Sequence, residues 1–395
     1  MKILSIAALI GLLGVQPASR ESISNTGLAA PEETTVFRNG TDGYQCYRIP
    51  AIVKAPDGAL LAFAEGRRTN CGDFGDVDIV LRRSSDGGKT WDAQTLVVDF
   101  GTHQAGNPAP VFDLTDARYP DGRLFLIYNT GTASEDEVRQ GKAIREVWYK
   151  TSTDNGKTWS EAVNITTQVN RPNKPAVNPA YRFSDDWRSY ANTPGHALQL
   201  TKGPHRGRLF VAANHSAGPP KPQFRDYQAH GFYSDDHGQR WKLSPTIDYP
   251  GSNESTAAET TDGGLLMNMR NQSGDVKNRL LAYSPNAGES WQPTVVAKDL
   301  PDPVCQGSMV NYQTRAGKPV LLFANANSPT RREKLTVRES TDNGKSWSAG
   351  REIYSGSSAY SDLVILQDGR IGLLYERDNY SLIQFTSFSY DWLKP

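Results

Sequence analysis

Three arginines lie far apart in the chain, each beside an apolar, strand-like run: Arg48 in CYRIPAIV, Arg270 in NESTAAETTDGGLLMNMRNQSG and Arg332 in TRREKLTVRESTDNGKSW. A guanidinium stays charged at any relevant pH and offers paired N–H donors, so several of them meeting at one point would clamp a carboxylate. Taken alone, Arg48 reads more readily as a salt-bridged residue at a strand edge. The stretch RRTNCGDFGD, which runs on through Asp76 to Asp78, places Asp73 on a glycine-rich polar segment. That composition suits an exposed flap over a site better than a core strand. Other chemistries lack their residues. The six histidines show no His-x-x-x-His spacing, no phosphate-binding glycine loop opens a helix, and no Gly-x-Ser-x-Gly elbow occurs. No metal and no cofactor is expected.

Side chains so far apart in sequence need a scaffold to bring them together. The chain has 395 residues, 37% of them hydrophobic, enough to bury a large core. Its formal net charge is zero, so no overall field favours nucleic acid or an anionic membrane, and an acidic ligand must be held by local charge. The start, MKILSIAALIGLLGVQPASRES, has one lysine, a short apolar run and small residues near Ala18. This reads as a signal peptide over about residues 1–19, followed by a flexible lead-in over 20–33, so that the protein is expected to be secreted or periplasmic. No later segment is long and apolar enough to suggest a membrane span. The three cysteines, Cys46, Cys71 and Cys305, leave at least one thiol unpaired within the chain. Whether Cys46 pairs with Cys71 is open at this point.

The architecture comes from a repeat. The pattern Ser-x-Asp-x-Gly-x-Thr/Ser-Trp recurs as SSDGGKTW at Ser84, STDNGKTW at Ser152, SDDHGQRW at Ser234, SPNAGESW at Ser284 and STDNGKSW at Ser340. Asn286 takes the aspartate place in the fourth copy, and Arg240 precedes the tryptophan in the third. The aspartate can fold back onto backbone amides, the glycine accepts a positive φ, and the tryptophan anchors the turn on the core. Strand-like runs precede the boxes, and no helical periodicity of useful length appears. Recurring turns among short strands predict an all-β fold, a six-bladed β-propeller of four-stranded antiparallel blades occupying residues 34–395 as one domain. Such boxes argue for a fold and hardly at all for an activity.

Activity enters through a resemblance. The order Tyr-Arg-Ile-Pro, the acidic loop before the first box, the Glu254-to-Arg270 segment, Arg332 before the last box, Tyr-Ser-Asp-Leu at Tyr360 and Leu-Leu-Tyr-Glu ending at Glu376 resembles the exo-α-sialidase (neuraminidase) family from about residue 35 onward. The resemblance implies removal of terminal sialic acid from glycans with retention of configuration. It assigns Arg48, Arg270 and Arg332 to the substrate carboxylate, with Glu376 buttressing Arg48. Tyr360 falls in the nucleophile's place and Glu254 in that of its base, leaving Glu259 as a nearby supporting acid. Asp73, ten residues before Arg83, becomes the acid/base and Asp76 a residue that shapes the loop. Arg68 is expected near the sugar's O4, and Asn107 facing the substrate. The expected partner is a sialylated glycan, bound by a monomer. A trans-sialidase, an intramolecular trans-sialidase and a non-catalytic sialic-acid-binding lectin are the alternatives. The lectin would need the arginines but not Tyr360, Glu254 and Asp73.

Overall fold

The computed structural model describes residues 31–394, so the expected signal peptide and most of the lead-in lie outside the described residues. The chain is a six-bladed β-propeller. From inside outward, blade 1 contains Cys46–Lys54, Leu60–Arg67, Val77–Ser84 and Thr95–Val98. Blade 2 contains Gln104–Asp113, Arg123–Gly131, Arg145–Ser152 and Val163–Asn164, and blade 3 Trp187–Asn192, Leu209–Ala217, Tyr227–Ser234 and Lys242–Leu243. Blade 4 contains Ser252–Glu259, Leu265–Asn271, Asn278–Ser284 and Val295–Pro301. One 15-residue strand, Arg351–Ile365, serves two blades: its first part is the outer strand of blade 5, after Ser308–Gln313, Pro319–Ala326 and Glu333–Ser340. Its second part is the inner strand of blade 6, followed by Ile371–Arg377 and Leu382–Phe388.

The circle is closed by Glu32–Arg38, which pairs antiparallel with Leu382–Phe388 and completes blade 6 from the other end of the chain. The ordered propeller therefore begins at Glu32, inside the segment expected to be a flexible lead-in. Glu32 and Glu33 are exposed, so no apolar alternation announces the strand at its start.

In blades 1 to 5 the boxes turn the third strand into the fourth. Asp86 accepts backbone N–H bonds from Lys89 and Thr90 at 3.0 Å, and Gly88 N donates to Ser84 Oγ at 2.9 Å. The same glycine-to-serine bond recurs at Gly156, Gly238, Gly288 and Gly344. Each box also fastens its blade to the one before. Trp91 meets Phe385 edge-on, Trp159 meets Phe63, Trp241 meets Phe125 and Trp291 meets Phe210. Gly88 has φ +90°, and a Cβ there would lie 2.1 Å from the Phe385 ring, so the approach of the two blades requires glycine.

Antiparallel order separates this structural rim from the chemical one. Box turns leave the ends of third strands, whereas the starts of inner strands, the ends of second strands and the starts of third strands share the opposite rim. On that rim five of the six inner strands carry one extra residue relative to their partners. The extra residues fall between Arg48 and Ala51, Gly106 and Ala109, Trp187 and Tyr190, Ser252 and Ser255, and Ser358 and Ser361. A bulge bends its strand and re-aims the side chains around it. Below that rim Asp362 joins several blades: it accepts bonds from Ile52 N, His196 N and Ser308 Oγ at 2.7–3.0 Å, and its other contact is His196 Nδ1 at 2.7 Å.

Candidate active site

The bulged rim carries the chemistry. Arg48, Asn107, Glu254 and Tyr360 sit at or beside bulges of their inner strands. Arg270 and Glu376 come from the ends of second strands, and Arg332 immediately precedes a third strand. Arg270 Nη1 donates to Tyr360 Oη at 3.0 Å, while the Arg48 and Arg332 guanidinium carbons stand 5.4 and 5.5 Å from the centre of the Tyr360 ring. The three arginines expected to converge do so, around one tyrosine.

Tyr360 is buried, and its hydroxyl donates to Glu254 Oε1 at 2.5 Å. Glu254 Oε2 accepts from Arg270 at 2.7 Å. Burial pushes the phenol well above its usual pKa and the Glu254 charge adds to that, with Arg270 and Arg332 pulling the other way. The site therefore holds a neutral phenol hydrogen-bonded to a carboxyl group. Glu376, fully buried, accepts from Arg48 Nε at 2.6 Å and from Ile49 N with one oxygen, and from Tyr360 N with the other. A single carboxylate thus fixes both an arginine of the cluster and the backbone of the tyrosine.

Asp73 reaches the cluster from its loop: its carboxylate lies 2.9 Å from Arg67 Nη1 and 3.8 Å from Arg48 Nη1, with the side chain 82% exposed. Partial desolvation raises its pKa, but Arg67, Arg48 and Arg332 outweigh it and hold the carboxyl below the ordinary carboxylate range. Asn107, at φ +53°, donates its backbone N–H to Glu65 at 2.9 Å and its side-chain amide to Asn192 O.

Two expected placements differ. Arg68 points away from the cluster, bonded to Asp78 at 2.7 Å, paired with Asp76 at 3.2 Å and lying over the Tyr44 ring. Arg67 stands beside Asp73 instead, because neighbours on a strand face opposite sides. Glu259 belongs to the other rim, where it accepts from Thr201 and Lys202. Five residues along a strand from Glu254 is too far for a supporting acid.

Other contributors had no signal in the sequence. Glu65 is buried and bonds Arg67 at 2.7 Å. Tyr380, at φ +68° in a hairpin turn, lies 4.1 Å beneath the Arg48 guanidinium and accepts from Arg332 at 3.2 Å. Cys305 is buried against Ile49 and Tyr360, and burial raises its thiol to about 11. Cys46 and Cys71 are disulfide-bonded. A separate groove lined by Leu266, Leu281, Val295 and Trp347 opens at the box end of strand Leu265–Asn271 and contains none of these groups.

Comparison with known proteins agrees with this build. Residues 58–373 match the BNR repeat-like domain. The sialidase of Micromonospora viridifaciens is 34% identical over 99% of this chain, which spans 58% of that relative's length. Sialidase-2 of Cricetulus griseus is 30% identical over 91% of this chain and 95% of its own. Among solved structures, Hadza microbial sialidase Hz136 superposes with a TM-score of 0.78 at 24% identity, covering 91% of this chain and 69% of that one. The chain carries a BNR-type repeat propeller, and it belongs to the exo-α-sialidase family of glycoside hydrolases.

Proposed function

We propose that this chain hydrolyses terminal α-linked sialic acids from glycoproteins, glycolipids and oligosaccharides, retaining configuration through a covalent intermediate on Tyr360. The observation that carries the reading is the Tyr360 hydroxyl, bonded to Glu254 and Arg270 inside a ring of three guanidiniums. Sialic acid bears a carboxylate on its anomeric carbon, so a carboxylate nucleophile would approach against like charge, whereas a phenol would not. Retaining glycosidases commonly use a carboxylate, and sialidases with a tyrosine nucleophile are a known exception.

In the first step the Tyr360 oxygen bonds to the anomeric carbon as the glycosidic C–O bond breaks. The phenolic proton passes to Glu254, and Asp73 gives a proton to the departing oxygen. In the second step Asp73 takes a proton from water, whose oxygen attacks the same carbon. The bond to Tyr360 breaks, and Glu254 returns its proton to the phenolate. Arg48, Arg270 and Arg332 grip the carboxylate throughout, a preorganised field for the oxocarbenium-like transition state. Charge supports the acid role. Arg48, Arg67, Arg270 and Arg332 are balanced by Glu65, Glu254, Glu376 and Asp73. A substrate carboxylate adds one negative charge, which protonation of Asp73 offsets.

Incubation with 2,3-difluorosialic acid followed by peptide mapping should place the adduct on Tyr360, and NMR should show the α-anomer released first. An unmodified Tyr360 alongside rapid turnover refutes the covalent route. Products of 3′-sialyllactose distinguish hydrolysis from transfer to a second glycan or release of an anhydro sugar. We also read the protein as exported and monomeric, which cell fractionation and size-exclusion chromatography test.

A further inference from the structure

We propose that the Cys46–Cys71 disulfide positions the acid/base, pinning the loop that carries Asp73 to the strand that carries Arg48; this rests on the role given to Asp73 above. Cys46 is fully buried at the start of the inner strand of blade 1, two residues before Arg48, and Cys71 lies two residues before Asp73. The cross-link thus ties the acid to one arginine of the cluster by a short covalent path.

The base of the loop between Arg67 and Val77 is closed by Arg68, which pairs with Asp76 and Asp78, but its tip around Asp73 has fewer contacts. Residues 68–73 are all exposed, and Phe74 is only half-buried. The Asp73 carboxylate itself is 82% exposed, so packing does not orient it. Besides the disulfide, the acid's end of the loop is held by one guanidinium nitrogen. Arg67 Nη1 donates to Cys71 O at 2.6 Å, Gly72 O at 2.9 Å and Asp73 Oδ1 at 2.9 Å. These bonds require Cys71 to stay over the end of strand Leu60–Arg67, and Cys46 pairs with Arg67 across that strand. Cleaving the cross-link frees Cys71, whose carbonyl takes one of the three bonds and whose chain neighbour Gly72 takes the second, and a displacement of about 1 Å in a reacting group costs on the order of 100-fold in rate.

The consequence is selective. A sugar leaves as an alkoxide that needs the Asp73 proton, whereas an electron-poor phenol leaves without it. Loss of the disulfide should therefore act on the glycan and spare the aryl substrate. The test compares kcat/KM on 3′-sialyllactose and on the 4-methylumbelliferyl sialoside for the full chain, the Cys46→Ser/Cys71→Ser variant, Asp73→Asn and the triple variant. Expected is a loss of about 100-fold on sialyllactose, the lower end of what general acid catalysis contributes, and at most about 3-fold on the aryl sialoside. Removing the disulfide from Asp73→Asn should cost little more. Equal losses on both substrates, no loss on sialyllactose, or full additivity with Asp73→Asn overturns the proposal.

A second route avoids variants that fold poorly. The folded native protein is treated with dithiothreitol, whose two thiols give two electrons and two protons to the cystine, leaving two cysteine thiols and a cyclic disulfide. The same substrate-selective loss, with the melting transition retained, is expected. A reduced protein that cleaves both substrates as before overturns the idea. Native protein that cleaves neither substrate identifies the sialidase reading as the fault, and the proposal falls with it.

Discussion

Replacing Glu254 by glutamine tests the centre of the mechanism. A phenol with its ordinary pKa near 10 is ionised to about one part in a thousand at pH 7. In Tyr360 that fraction is smaller still, because burial and the Glu254 charge raise the pKa more than Arg270 and Arg332 lower it. A nucleophile obliged to ionise before attack would forfeit a factor of at least about 1,000, roughly 4 kcal/mol of barrier. In the proposed mechanism Glu254, 2.5 Å from the hydroxyl, removes that cost by accepting the proton as the bond forms. Glutamine keeps the size and one hydrogen bond but takes no proton, so kcat should fall about 1,000-fold near pH 7. The pH profile gives a second reading. With the Glu254 charge gone, Arg270 at 3.0 Å is unopposed and the phenol's pKa drops. Activity of the variant should then climb roughly tenfold per pH unit as phenolate accumulates, while the native enzyme does not. The assay uses an aryl sialoside, whose departure does not need Asp73. A variant that keeps a tenth of native activity at pH 7, or whose profile runs parallel to the native one, refutes the reasoning.

Among the described residues Arg332 has no carboxylate within ion-pair distance, its donors resting on Val304 O and Tyr380 Oη. Arg332→Ala should therefore weaken binding of an unsaturated sialic-acid analogue by about 10- to 100-fold in calorimetry, the scale of one or two charge-assisted bonds. Trp241→Ala, on the opposite rim and packed against Phe125 and Phe232, should cost about 3–5 kcal/mol in urea unfolding while leaving kcat of the folded protein intact. Asp86 and Asp154 are held at about 2 by their box hydroxyls and amides despite some desolvation, so their stabilisation is present above about pH 4 and is lost as the pH falls toward 2. Asp154→Asn should flatten the fall in melting temperature over that window. Because kcat/KM reports the free enzyme and kcat the complex, the acid pKa seen with sialyllactose should be higher in kcat than in kcat/KM; coincident values refute the charge-balance argument for Asp73.

What the sequence made legible follows how local each feature is. A box is closed by bonds spanning four residues, such as Gly88 N to Ser84 Oγ, so its pattern survives in one dimension and repeats. The converging arginines could be named from the family resemblance, but their meeting point could not, since Arg48 and Glu376 are 328 residues apart. The Arg67–Arg68 pair shows a harder limit. Two adjacent arginines differ only in which face of the strand they take, and that phase is set by the pairing of Gly66 with Asp78 and of Arg67 with Val77, which nothing in GRRTN reveals. Tyr380 was hidden for a different reason. It acts from a four-residue hairpin turn in which Asp378, Asn379 and Tyr380 all have positive φ, a conformation that aspartate and asparagine tolerate but a tyrosine seldom adopts, so its type does not mark it as a turn residue. The closing strand at Glu32 was invisible because its partner is the far end of the chain.

The division between the two rims explains how one fold serves both demands. Rigidity comes from the box rim, where tryptophans lock successive blades through contacts that involve no group of the candidate site. The opposite rim is where regular pairing is interrupted, by one extra residue in five inner strands. A regular strand sends neighbouring side chains alternately to its two faces, toward the blade interfaces, and at the positions that carry Arg48, Glu254 and Tyr360 a bulge breaks that alternation and re-aims the side chains along the rim toward a common centre. The bulges turn them there, and the backbone groups they free need new partners. Glu376 supplies some of these, taking the N–H groups of Ile49 and Tyr360 while holding Arg48. Irregular pairing and buried charge, each costly alone, therefore satisfy one another at this rim, and the same carboxylate that repairs the backbone fixes the geometry of the chemistry.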